Sequence, residues 1–370
     1  IDAENCVVED DYTIVIATHE PFGPLIGYLP YIGAVVVSEK EFTENPEKAA
    51  MNPVGTGPFK FIEWKKNDQC SYERFDDYWG EKPSYKNLII RTIVEANSRV
   101  IELESGTVDI AYSIPANDIE RLKENENTDV VERLSTTVEY LDMNVTKKPL
   151  DDVRVRQAID YAINEQAIED IVYRGTASYS PTTVTPGMKY FDDSDTDYRY
   201  DVKKAKQLLK EAGVSDLKLT LICSESVTRL NAATIIQSML SDVGIDVESG
   251  TVLNMIDAGE TELFIMGFGA VGFPEPDNNI YGPFHSKQIP TNNMGFYKDP
   301  KLDEMLDEQR FMTDGPEREK LIKDIQKYLR ENLPVIPLAN TKQVIGIRSN
   351  IKNFVPTQAS SHFVDKVDIE

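Results

Sequence analysis

"TTVEYLDMNVTKKPLDDVRVRQAIDYAINEQAIEDIVYRG", residues 136–175, contains the basic unit of an α/β protein. Val138, Tyr140 and Leu141 read as a strand, which Lys147, Lys148 and Pro149 break. Asp151 or Asp152 then caps a helix. In it Val155, Ala158, Ile159, Ala162 and Ile163 recur at i, i+3, i+4, i+7 and i+8. That spacing makes one apolar face, and its use is core.

The same pattern continues on both sides. Upstream, "KNLIIRTI" (86–93) is a strand, and "EANSRVIELESGTVDIAYSI" (95–114) is a helix stopped by Gly106, then a strand. Asn97 or Ser98 is the expected N-cap there, and "ANDIERLKEN" adds a short helix through Ile119 and Leu122. Downstream, "DVKKAKQLLKEAG" starts at an Asp201 cap and stops at Gly213, and "NAATIIQSMLSDVG" runs from about Asn231 to Gly244. "LKLTLIC" and "IDVES" are the strands beside them. "GPEREKLIKDIQKYLRENLP" is a long helix with Pro316 in its first turn, and "PVIPLANTKQVIGI" returns as strands. Alternating strands and helices predict sheets covered by helices. The opening "IDAENCVVEDDYTIVIATHEP" reads as a strand already under way at Tyr12, Ile14 and Ile16, as in a chain whose upstream segment is missing.

At 370 residues the chain has room for two domains. Its net charge of −24, from 63 acids against 39 bases, argues against nucleic acid and anionic membrane as partners. Cys6, Cys70 and Cys223 fit no metal spacing, and His19, His285 and His362 form no HExxH or Ser-His-Asp order. No metal or cofactor is therefore expected. No apolar run reaches the roughly 20 residues of a membrane helix.

Two Gly-rich stretches are candidate ligand loops. "MNPVGTGPFKFIEW" (51–64) lacks the GxxxxGK[ST] ending of a phosphate loop. Pro58 removes an N–H, and Phe59, Phe61 and Trp64 continue as extended chain, so it reads as a rigid turn. "MGFGAVGFPEPDNNIYGPFHS" (266–286) follows the apolar strand "LFIM", and loops after α/β strands carry ligand sites. Phe268 and Phe273 are candidate apolar walls. Glu275 or Asp277 are candidates to meet a cation. The bland alternative is a surface loop with one buried Phe. Arg229, between "LKLTLIC" and the next helix, has the fork to pair a ligand carboxylate, or is a solvated surface Arg.

These motifs converge on a family. "NPVGTGPFKFIEW", "YERFDDYWGEKPSYKNLIIRTI", "SRVIELESGTVDIAYSIPANDIERLK", "YLDMNVTKKPLDDVRVRQAIDYAINEQAI", "YRYDVKKAKQLLKEAG" and "IIQSMLSDVGIDVE" occur in that order. Together they resemble the extracytoplasmic solute-binding proteins of peptide and nickel ABC transporters (family 5, dipeptide- and oligopeptide-binding proteins). The resemblance implies a two-lobed α/β clamp of the periplasmic-binding-protein type (type II), its first lobe incomplete here because the family's N-terminal part is missing. Residues 1–50 would end the extra subdomain of lobe one, 51–142 belong to lobe one, 143–341 to lobe two, and 342–370 return to lobe one. A hinge is expected near Tyr140 to Asn144, with recrossing at 340–345.

The resemblance further implies a non-catalytic monomer without cofactors. It would capture di- or oligopeptides and hand them to an ABC permease, from the periplasm or as a cell-surface lipoprotein. Its alternatives are a nickel chelate, an oligosaccharide or another solute, or a receptor outside transport. The expected ligand wall is Phe268, Gly269, Ala270, Val271, Gly272, Phe273 and Glu275, with Arg229 and Tyr140. The family's loop tryptophan is Phe268 here, and its ammonium-holding Asp falls at Val271 or Gly272. Arg229 matches the carboxylate-binding Arg loosely.

Overall fold

The computed structural model describes residues 1–30, 35–251, 259–269, 275–358 and 363–370. The class is the two-lobed α/β one. By contacts the chain forms two compact units: Ile1–Leu29 with Thr136–Thr341, and Pro30–Ser135 with Lys342–Glu370. Residues 1–29 thus group with 136–341, whereas the sequence reading set 1–50 with the other lobe. Two long strands, Thr128–Met143 and Val335–Arg348, carry the chain from one unit to the other.

In the unit that includes 136–341, Ile245–Gly250 pairs parallel with Leu217–Cys223, which pairs parallel with Leu263–Ile265. Leu263–Phe268 then runs antiparallel to Val138–Met143. Strand, helix, parallel strand is the expected crossover unit, with the Val227–Asp242 helix as the crossover. Successive strand residues face opposite sides, so Leu141 and Met143 enter one core while Val138 and Tyr140 enter another. The first core is covered by the Val153–Ala162, Val202–Glu211 and Val227–Asp242 helices. The second is covered by Pro276–Phe284, Pro300–Phe311 and Pro316–Asn332. The expected apolar face of Val155, Ala158, Ile159, Ala162 and Ile163 is wholly buried. Asp152 is the cap, accepting from the Arg154 N–H at 2.9 Å, and Asp201 caps the next helix through Lys203 and Lys204.

In the other unit, Phe59–Lys65, Gln69–Arg74 and Asn87–Arg91 form an antiparallel sheet. Ile345–Ile347 pairs with Ile110–Tyr112. The Ala96–Ser105 helix starts one residue before the expected cap Asn97, after Glu95, which makes no side-chain cap bond. It ends at Gly106, whose φ of 78° is left-handed and favours glycine. Leu103 and Leu122 are fully buried in this unit's core. In the unit that includes 136–341, the N-terminal strand is instead a hairpin, Val7–Asp10 against Thr13–Val15, exposed throughout. Among the described residues no helix is long and apolar enough to cross a membrane.

Candidate functional site

The candidate site gathers at the carboxyl ends of Leu217–Cys223 and Leu263–Phe268. In parallel α/β sheets this edge is where backbone and helix N-termini converge on ligands. The Val227–Asp242 helix starts four residues earlier than the expected Asn231, because Ser226 takes the extended cap position. Arg229 therefore sits in the first helical turn, not in the loop before it.

The Arg229 fork is occupied. Nε donates to Glu139 Oε2 at 2.8 Å and Nη2 to Oε1 at 2.9 Å, while Nη1 reaches Ser224 Oγ at 3.1 Å. Both side chains are mostly covered, Arg229 25% and Glu139 12% exposed. The Glu139 hydrogen bonds push the guanidinium pKa up. Glu139 stands directly opposite Gly267 in the strand pairing. A Cβ on Gly267 would lie 2.3 Å from Glu139 Oε1 and 3.0 Å from Arg229 Nη2. Glycine is what leaves this slot open. The Tyr173 hydroxyl is buried with no partner among the described residues, and burial, then Glu139, raises its pKa.

On the opposite sheet face, Tyr140 is fully buried and its hydroxyl has no partner among the described residues. Burial and the neighbouring Asp142 raise its pKa. Asp142 itself is pushed up to about 8 by burial. Phe268 is half-buried beside Gly282, where a Cβ would come within 3.0 Å of the ring. Gly269 lies against the middle of the neighbouring Thr128–Met143 strand: a Cβ there would be 2.4 Å from Thr137 Oγ1 and 2.7 Å from Thr137 Cα. That backbone is pinned, since Asn279 donates to the Thr136 carbonyl and Asn340 to the Thr137 carbonyl, each at 2.9 Å. Gly269→Ala is therefore expected to destabilise by about 1–3 kcal/mol, as overpacking does, in urea titration. An unchanged midpoint would show that this contact yields freely.

Ala270, Val271, Gly272 and Phe273 lie outside the described residues. Beyond them, Glu275 and Asp277, the alternative candidates to meet a ligand cation, are each paired with an arginine of the chain itself. Glu275 is buried, caps the Pro276–Phe284 helix and receives Arg318 Nη2 at 2.6 Å. Burial raises its pKa and Arg318 lowers it. Asp277, fully buried, is gripped by Arg310 through two bonds of 2.8 Å and by Tyr28 Oη at 2.7 Å. The sequence reading missed Glu139, Tyr173 and both arginine partners. One signal was present: a lone Glu inside the apolar strand "VEYLDM". Among the described residues no His, Cys, Asp or Glu group is arranged to hold a metal ion.

Residues 1–291 match the family model described as bacterial extracellular solute-binding proteins, family 5 Middle. The chain is 31% identical to the dipeptide-binding protein of Escherichia coli (strain K12), over 98% of this chain and 70% of that protein. It is 30% identical to the glutathione-binding protein GsiB of Pectobacterium atrosepticum, over 93% and 70% respectively. Among solved structures, the periplasmic binding protein DppA of Helicobacter pylori, in complex with the peptide STSA, superposes with a TM-score of 0.84. It shares 30% identity, and the match covers 99% of this chain and 74% of that one.

Proposed function

The chain belongs to the bacterial extracellular solute-binding proteins of family 5, and from that premise we propose that it captures peptides outside the membrane for an ABC importer. The observation that carries this reading is the likeness, over almost the whole chain, to a protein solved with a peptide bound. The likeness to a dipeptide-binding protein of E. coli supports it. The protein acts without catalysis, as a monomer, in the periplasm or as a cell-surface lipoprotein. Ligand shifts its open–closed equilibrium, and the permease reads the closed form. Phe268 to Phe273 supply the ligand wall on the unit that includes 136–341. Tyr140, Gly269 and Glu275 belong to the same ligand wall, Glu275 in its pair with Arg318. Arg229 lies at its charged end.

A second reading is favoured by one specific feature. The family's ammonium-holding acid falls at Val271 or Gly272 here, and the nearby acids Glu275 and Asp277 are already paired. A solute without a free ammonium, such as a metal chelate or an oligosaccharide, fits that departure. Isothermal titration of the full protein with a peptide library separates the two. Saturable peptide binding is the expected result. No binding of any peptide, with tight binding of an unrelated solute, would overturn the peptide assignment and leave the fold standing.

A further inference from the structure

The Arg229 fork is shaped for a carboxylate and already holds one. We propose that Glu139 is a built-in stand-in for a ligand carboxylate, making it a specificity-determining residue against solutes that present a free carboxylate at this end of the site. This rests on the reading of the protein as a peptide receptor.

Three observations carry it. First, the pairing is bidentate, Nε to Oε2 at 2.8 Å and Nη2 to Oε1 at 2.9 Å, which uses the face of the guanidinium that a ligand carboxylate would use. Second, the slot is built: Glu139 and Gly267 are cross-strand partners, and any side chain at 267 would strike both Glu139 and Arg229. Third, the remaining guanidinium nitrogen is held by Ser224 at 3.1 Å, so the fork is fixed in direction.

The consequence is chemical. A ligand carboxylate approaching Arg229 meets a cation whose charge is already matched. It must displace Glu139 and leave a half-buried carboxylate unpaired, or bind elsewhere. A ligand whose corresponding end is an amide, or is buried in a longer chain, pays neither penalty. Specificity of this kind comes from a repulsive element, not from a new attraction. Removing the charge of Glu139 while keeping its size frees the fork for the ligand. The Tyr173 hydroxyl, within electrostatic reach of both charges, is then a further donor for the incoming anion.

The test compares pairs of peptides of one sequence, with a free carboxylate or a terminal amide, by titration calorimetry. Wild type, Glu139→Gln and the double variant Glu139→Gln/Arg229→Gln are used, with melting curves confirming that each is folded. Wild type is expected to bind the amide at least as tightly as the acid. Glu139→Gln is expected to shift the acid-to-amide affinity ratio tenfold or more toward the acid. The double variant is expected to abolish that gain. If Glu139→Gln does not fold, Glu139→Ala takes its place with the same expected shift. Peptide binding with a ratio unchanged within twofold would overturn this proposal alone. Absence of peptide binding to every variant would overturn the peptide reading and this proposal together, since a freed fork would then have taken no carboxylate.

Discussion

Arg318→Ala is expected to lower the free energy of unfolding by about 3–5 kcal/mol, seen as a fall in the urea midpoint at unchanged slope. Arg318 is among the largest fully buried side chains of the described residues, at 0% exposure. It reaches Glu275 Oε1 at 2.6 Å, Asp314 Oδ1 at 2.7 Å, the Gln309 carbonyl at 3.2 Å and Gln309 Oε1 at 3.1 Å. A buried ion pair is a modest net stabiliser when whole, because desolvating both ions offsets their attraction. Breaking it from one side is different. Glu275 would keep its burial, which already raises its pKa, and lose the guanidinium that lowers it. It either stays charged without a partner or takes up a proton, and both cost free energy. Glu275→Ala should destabilise by less through the pair, because Arg318 keeps Asp314 at 2.7 Å, with a further loss of the Glu275 cap on Pro276–Phe284. The double variant should cost clearly less than the sum of the two, because each single change leaves the other member of the pair behind and the double variant leaves neither. A single-variant effect below about 1 kcal/mol would show that water reaches the site and screens it.

This pair also marks where the sequence stops being readable. The helices could be read because their information is local. Val155, Ala158, Ile159, Ala162 and Ile163 carry a 3.6-residue period, and Asp152 and Asp201 precede their helices as caps must. Gly106 ends its helix for a reason internal to its own backbone. The N-terminus of the Val227–Asp242 helix was harder, since Val227 and Arg229 add no apolar period and only Ser226 signals the start. The candidate site was legible as residue types but not as partners. Glu275 or Asp277 was read as a partner for a ligand cation, and both are paired with arginines of the chain. Their partners stand 43 and 33 residues further on, inside helices whose polar positions look like ordinary solvated faces. Arg229 and Glu139 lie 90 residues apart and meet only because strand pairing sets Glu139 over Gly267. Such pairings follow from register, and register is a property of the folded sheet.

Glu165→Gln is expected to remove one distinct component of a loss of stability that the wild type shows between about pH 4.5 and 8, a window in which the buried Asp142 and Asp160 lose stability too. Glu165 is 2% exposed, and its Oε2 has no hydrogen-bond partner among the described residues. Burial, and then the neighbouring Asp160, push its carboxyl from 4.5 up to about 8. The sign follows from proton binding. Above pH 4.5 the unfolded chain releases this proton while the folded protein retains it. Stability is therefore fully present below 4.5, falls as pH rises, and levels off above 8. One proton over that window corresponds to about 3–5 kcal/mol. Asp160 titrates first. Burial raises it only to about 6, because Arg199, at 3.9 Å, and Arg330 favour its charged form against Asp195. Once ionised, Asp160 repels a charge on Glu165 and keeps the proton there, with Arg330 and Arg199 opposing. Asp160→Asn should consequently move the midpoint of the Glu165 loss to lower pH, whereas Glu165→Gln should abolish that component at every pH. Urea midpoints at pH 5 and pH 8 for wild type and both variants measure this. A wild-type pH profile that superposes on that of Glu165→Gln would mean that Glu165 titrates alike in folded and unfolded chains, and that its burial carries no charge penalty.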